Sequence, residues 1–315
     1  AGMNAARHPF VVAVYADTVI EPDALLRLAR PFLLEPNVAA VGGTIRVANS
    51  CTVEFGRVTE ARVDSRWLPT FQVVEYLRAF LSGRMGWSRI NALVVVSGAF
   101  GIFKRSAVLE AGGYHSDTVG EDMELVMRLH HYMRDKGRPY TIRFVPDPVC
   151  WTEAPETFRT LWRQRDRWHR GLGQSLARHK NMIFNPRFGT LGLLAMPYFA
   201  LVELLSPVLE LLGYWIIFST WALGALDVKA AGAFLLLTVV MGILLSIYAV
   251  VLEEMTLYRY PKVRNLVRLF AAAILENLGY RQLTVLARTA GLIGLATRRV
   301  GWGEMERKGL LGRPG

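Results

Sequence analysis

Cysteine is scarce in this chain. Two thiols among 315 residues, Cys51 and Cys150, make neither a disulfide framework nor a thiolate metal site. Two buried thiols in a reducing compartment are the simple expectation. The six histidines are scattered and form no H-E-x-x-H pair, which removes the common zinc-hydrolase pattern. No G-x-x-x-x-G-K-[ST] loop occurs, so a P-loop nucleotide site is excluded as well. Internal repeats and low-complexity stretches are absent. Acid is also short: 26 Asp and Glu stand against 37 Lys and Arg, a formal charge of +11. Such a balance can serve nucleic acid, but the basic residues gather beside apolar stretches, at 163–187, 259–268 and 298–313. That placement suits an anionic cytoplasmic membrane surface, and no nucleic-acid partner is expected.

What the chain does have is apolar sequence, 52% of residues, unevenly spread. Residues 1–190 mix charge with apolar periodicity, whereas 191–298 carry most of the long apolar runs. In the first part, strands are predicted at 10–16, 38–47 (interrupted by Gly42-Gly43), 93–103 (broken by Gly98) and 143–145. Helices are predicted at 21–32, 70–81, 106–111, 121–136 and 155–180. Alternating strands and helices argue for an α/β fold, a parallel or mixed sheet covered by helices, with its site at the carboxyl ends of strands. Asp17 and Ser97-Gly98 are expected there. Residues 11–14 read as a buried, central strand. A sheet seldom opens on its central strand, so part of the domain is expected to lie upstream of Ala1.

In the second part, 191–226 exceeds one membrane span and is short for two. It reads as an interfacial helix followed by a span over about 204–223. Residues 230–252 form the cleanest span, with no charge inside. Residues 269–297 are apolar but hold Glu276, Asn277, Arg281, Gln282 and Arg288, as a channel-facing span or an interfacial helix would.

Three clusters carry the chemistry. Gly120-Glu121-Asp122 places two acids at a helix start, where the helix dipole favours them and where a carboxylate can serve as a general base. About forty residues on, Gln164-Arg165-Asp166-Arg167-Trp168 sets Gln164 and Arg167 three apart on one helical face, with amide and guanidinium donors suited to phosphate oxygens. The flat ring of Trp168 suits the C–H face of a sugar. The other arginines of this helix, Arg163, Arg165, Arg170 and Arg178, fit lipid headgroups. Upstream, Tyr15-Ala16-Asp17-Thr18 follows a strand, and Val96-Ser97-Gly98-Ala99 is a small-residue stretch that lets backbone approach a ligand.

In this order, ahead of apolar segments, the E-D and Q-x-x-R-W strings resemble the signature of membrane-embedded family-2 glycosyltransferases, the group of the cellulose, chitin, hyaluronan and poly-N-acetylglucosamine synthases. The resemblance implies a GT-A-like mixed sheet flanked by helices, its N-terminal part missing, followed by an α-helical transmembrane region. It divides the chain into a cytoplasmic catalytic domain (1–188), transmembrane or interfacial helices (189–298) and a basic tail (299–315). It implies inverting transfer from a UDP-sugar to a growing polysaccharide, or to a lipid-linked acceptor, by a multi-pass protein of the bacterial inner membrane. Membrane lipid and an accessory export subunit are the further partners. Asp122 takes the role of catalytic base. Gln164, Arg167 and Asp17 contact the nucleotide diphosphate, Asp17 through a divalent cation, Mg²⁺ or Mn²⁺. Trp168, Ser97, Gly98 and Glu121 hold the acceptor. One position departs from the pattern. Tyr15 stands where the family's D-x-D has its first aspartate, which removes one carboxylate from the metal site and raises the alternative of a catalytically impaired membrane scaffold.

Overall fold

A computed structural model describes residues 2–297; the tail assigned to 299–315 lies outside the described residues. Along the chain come α1 (Gly2–Ala5), β1 (Phe10–Val14), β2 (Thr18–Ile20), α2 (Ala24–Leu34), β3 (Val38–Val47), β4 (Thr52–Glu54), β5 (Arg57–Glu60), α3 (Trp67–Leu77), α4 (Met85–Arg89), β6 (Phe100–Lys104), α5 (Arg105–Glu110), α6 (Glu121–Asp135), β7 (Thr141–Thr152) and α7 (Phe158–Arg178). Four further helices follow: α8 (Ser206–Ala222), α9 (Val228–Thr256), α10 (Val263–Leu275) and α11 (Tyr280–Ala296). A π-helical turn, Arg78–Arg84, joins α3 to α4, and two more, Leu191–Ala195 and Tyr198–Leu204, precede α8.

The main sheet is five-stranded and mixed, in the order β1-β6-β3-β7-β2. Only the β3–β7 pair is parallel; β1–β6, β3–β6 and β2–β7 are antiparallel. β3 is buried along its whole length. It continues through Gly42-Gly43, with register shifts against β7 on either side of Thr44, and Val96 packs so close to Gly42 that an added Cβ would stand 3.1 Å from a Val96 methyl. Leu28 of α2, Val74 of α3, Leu125 and Leu129 of α6 and Ile142 of β7 complete one core. Ala249 and Val250 of α9 and Leu269 and Ala272 of α10 belong to that same core.

Two strand expectations need correction. Among the described residues β1 lies at the edge of the sheet, where a central strand was expected, and Phe10, Val12 and Val14 are exposed on it. The apolar run 93–103 forms a strand only from Phe100; Leu93, Val94 and Val96 are buried but lie outside the ladder. Apolar β-branched residues satisfy a buried irregular segment as well as a strand, so periodicity alone does not separate the two.

In the C-terminal part, α9 has 29 residues and is the one described helix long and apolar enough to cross a membrane; the segment Leu191–Leu204 and α8, bent by 42° at their junction, pass that test only together. Asp227 caps α9 by accepting from the Lys229 and Ala230 amides at 3.0 and 3.1 Å. The apolar stretch after Leu269 is broken at Gly279, whose φ of +102° suits glycine. α10 and α11, of 13 and 17 residues, each fall short of the roughly 20 needed to span.

Candidate active site

The site is assembled by one strand pairing and one helix crossing. Because β6 runs antiparallel to β1, with Val14 opposite Phe100, the loop that enters β6 lies beside the residue that leaves β1. The Tyr15 amide donates to the Ala99 carbonyl at 3.4 Å. Ser97 and Gly98 therefore reach the site from the amino end of a strand, not the carboxyl end the sequence suggested. The Tyr15 ring covers Gly98 so closely that a side chain there would collide with the phenol.

Asp122 sits in the first turn of α6 and is tied to this loop. Its Oδ2 accepts the Gly98 amide at 3.1 Å and its Oδ1 accepts its neighbour Met123's amide at 2.8 Å. Beside it, Glu121 Oε1 accepts the Tyr15 hydroxyl at 3.4 Å. Burial, and then the adjacent Asp122 carboxylate, raise the Glu121 carboxyl above its ordinary range. Burial and the same two acids push the Tyr15 phenol up, which keeps it a neutral donor.

The crossing joins α6 to α7. Thr157 caps α7 by accepting the Thr160 amide at 3.3 Å, and Gln164, Arg167, Trp168 and Gly171 follow at helical spacing on one side. Gly171 meets Gly120, the residue before Glu121, backbone to backbone. A Cβ on Gly120 would stand 2.8 Å from the Gly171 Cα, and the reverse holds. Two glycines thus let the E-D turn and the Q-x-x-R-W face share one cavity of about 260 Å³.

Of the residues singled out from sequence, Ser97, Glu121, Asp122, Gln164, Arg167 and Trp168 line that cavity. Gly98 supports it from behind through the Asp122 bond. Asp17 lies in the turn between β1 and β2 and is not part of the lining. Gln164 is buried, and its Oε1 has no hydrogen-bond partner among the described residues. Trp168 is 42% exposed.

The lipid-facing reading of the α7 arginines fails for two of the four. Arg165 and Arg170 are buried, paired with Glu75 at 2.8 Å and Asp166 at 3.0 Å, and Arg178 pairs with Asp117 at 2.5 Å. Arg163 and Arg178 are exposed. The Arg165 guanidinium lies 4.5 Å from the Trp168 ring centroid, and Tyr280 of α11 donates to the same Glu75 oxygen at 2.6 Å. The ring on the cavity wall is thus backed by a cation, an acid and a phenol from three helices. Glu75, Phe80 and Arg84, which sequence reasoning passed over, also line the cavity. Their signal is weak: an acid and a base on an apolar helical stretch, with no motif around them.

A divalent cation was also expected. Among the described residues no three His, Cys, Asp or Glu side chains gather as a metal cage, and the Tyr15 hydroxyl is turned to Glu121. A cation held chiefly by diphosphate oxygens needs only one or two carboxylates; Asp17, the residue expected to supply one, is outside the cavity lining.

A mixed sheet whose acid-bearing helix start faces a Gln, Arg and Trp helix defines a sugar-transferase class, and the chain belongs to glycosyl transferase family group 2, which matches residues 10–252. It is similar to the poly-β-1,6-N-acetyl-D-glucosamine synthase of Staphylococcus epidermidis, 30% identical over 177 residues that cover 56% of this chain and 38% of the relative. The synthase of the same name from Staphylococcus aureus strain COL is 29% identical over an equal stretch. The match thus spans well under half the length of these relatives. Among solved structures, a mannosyltransferase from Pyrobaculum calidifontis in complex with GDP-Man and Mn²⁺ shares the fold, with a TM-score of 0.50 and 18% identity over 95% of this chain and 65% of the other. The GT-A-like fold implied by the motifs is the one observed.

Proposed function

We propose that this chain transfers a sugar, with inversion, from a UDP-sugar to a growing polysaccharide at the cytoplasmic face of a bacterial inner membrane. The observation that carries this reading is the convergence of Asp122, Gln164, Arg167 and Trp168 on one cavity. Asp122 takes the proton of the acceptor hydroxyl as that oxygen attacks the anomeric carbon; the carbon–oxygen bond to the diphosphate breaks, and its electron pair leaves with the phosphate. The Gly98 and Met123 amides fix the carboxylate in position for this. Gln164 and Arg167 donate to the departing oxygens, and Trp168 offers a stacking face to the acceptor sugar. Asp17 would hold a divalent cation on the diphosphate, where the ion offsets leaving-group charge.

In this reading residues 1–188 are the catalytic domain and 189–298 its membrane part. The exposed Leu235, Leu236, Leu244 and Leu245 of α9 form an apolar surface suited to lipid. The test is turnover of UDP-N-acetylglucosamine and UDP-glucose in membranes carrying the full-length protein. Asp122→Asn, which keeps an oxygen acceptor for one of the two amides, is expected to lower turnover roughly 100- to 10,000-fold. Equal turnover by both proteins rejects the assignment.

Tyr15 favours a second reading, a membrane scaffold without catalysis. Its hydroxyl is committed to Glu121 at the position where the family places a metal carboxylate. Mn²⁺-dependent UDP binding restored only by Tyr15→Asp would select that reading.

A further inference from the structure

Arg84 lines the cavity and is used by neither step above. It ends the π-helical turn Arg78–Arg84, a backbone irregularity that recurs at functional sites. Its guanidinium lies 3.9 Å from the centroid of the Phe80 ring, one turn back on the same segment. Among the described residues it makes no hydrogen bond and no ion pair with a carboxylate, and the group is only partly open to solvent. Burial pulls its pKa down to about 10, against the opposing pull of Asp122 and Tyr76. It therefore remains charged at neutral pH.

A cation without a paired carboxylate in a protein wall is costly. A lysine can shed its proton, whereas a guanidinium keeps its own and needs an anion. Three buried arginines among the described residues have theirs: Arg46 has Glu253, Arg165 has Glu75 and Arg170 has Asp166. Phe80 supplies a flat face that orients the guanidinium, and Arg84 lines the same cavity as Gln164 and Arg167.

We propose that Arg84 is an oxyanion-binding residue of this cavity, its guanidinium accepting as partner a phosphate or carboxylate carried by the ligand. The proposal rests on the reading of the cavity as a substrate site. Two sources offer that chemistry: the diphosphate of the donor and an acidic sugar of the acceptor.

The experiment measures binding of inorganic pyrophosphate and of glucuronate, by calorimetry on the full-length protein in detergent, for wild type, Arg84→Gln, Arg84→Lys and Arg167→Gln. Loss of one charge-assisted pair is expected to weaken one of the two ligands about tenfold or more in Arg84→Gln. Weaker pyrophosphate assigns the donor, and weaker glucuronate assigns the acceptor. Arg84→Lys retains the charge without the fork and should fall between; it is the decisive variant should Arg84→Gln fail to fold. The unfolding temperature of Arg84→Gln is expected to rise, because an uncompensated charge has been removed, whereas a structural arginine would lower it. Unchanged binding of both ligands in the Arg84 variants overturns the proposal, as does a wild type that binds neither. Arg167→Gln separates the two levels. If it alone weakens pyrophosphate and the Arg84 variants leave glucuronate unchanged, the cavity reading stands and Arg84 falls; if only the Arg84 variants weaken pyrophosphate, the diphosphate role of Arg167 falls instead.

Discussion

Two regions of this molecule bury charge in opposite ways. Where the C-terminal helices meet the catalytic fold, the charges close on one another. Arg46 of β3 reaches Glu253 of α9 at 2.5 Å with both side chains almost fully buried, and Arg78 reaches Glu276, after α10, at 2.5 Å. In the cavity several groups stay open: Gln164 Oε1 has no partner, and Arg84 has a ring beneath it but no acid. Closed pairs specify how parts fit, since breaking one strands a charge. Open groups cost stability and persist where a ligand completes them. The helices after residue 189 are therefore fixed to the sheet by ion pairs as well as by the shared core.

The largest effect expected from breaking this contrast is at the junction. Glu253→Ala strands the Arg46 guanidinium and should cost about 3–5 kcal/mol of stability. Replacing both, with Arg46→Met and Glu253→Leu, should recover most of that loss. The unfolding midpoints of the single and double variants in detergent decide it, and a double variant no better than the single would deny that the pair is closed.

His130 of α6 represents a third solution, a buried ionisable group kept neutral. Its Nε2 donates to the Leu93 carbonyl at 2.9 Å, which leaves Nδ1 to accept from the Tyr140 hydroxyl at 2.7 Å. Burial pushes the imidazole down to about 4. The native state then binds fewer protons than the unfolded chain, so this stability is complete above about pH 6.5 and is lost as pH falls toward 4. The full loss is about 3 kcal/mol. Unfolding midpoints between pH 7.5 and 4.5 should fall, and His130→Gln should flatten that slope. A variant with an unchanged slope would assign the loss to other groups.

The smallest change in stability with a large consequence is expected at the helix crossing. Gly171→Ala introduces a methyl where the Gly120 backbone stands 2.8 Å away, at a cost of about 1–3 kcal/mol. It should separate Asp122 from Trp168 and lower turnover well beyond what the lost stability explains. Activity compared with the unfolding midpoint of the same preparation is the measurement. Wild-type turnover in Gly171→Ala would mean that the close crossing is dispensable.

Much of the site was legible because its residues sit in local patterns. Acids in the first turn of α6 and the i, i+3 pair Gln164 and Arg167 on α7 need only helical periodicity to be placed, and the spacing of the two strings carried the family resemblance. Less of the sheet was legible. β1 and the segment 93–96 have the same apolar, β-branched character as β3, yet one is an edge and the other pairs with nothing. Strand neighbours come from remote sequence, so composition cannot rank them. Arg165 and Arg170 were misread for the same reason. A basic helix written in one dimension looks ready for lipid, and Glu75, ninety positions away, is what turns Arg165 inward.

The amino-acid sequence by itself determined the helices, their amphipathic faces and the E-D and Q-x-x-R-W strings that carry the family resemblance, because these depend on neighbours within a turn or two. The tertiary structure alone decided that Gly120 would touch Gly171, that Tyr15 would turn to Glu121, and that Arg84 would face a cavity instead of a carboxylate. Those outcomes depend on contacts between segments far apart in the chain, and close packing admits only the few arrangements in which backbones, rings and charges all find room.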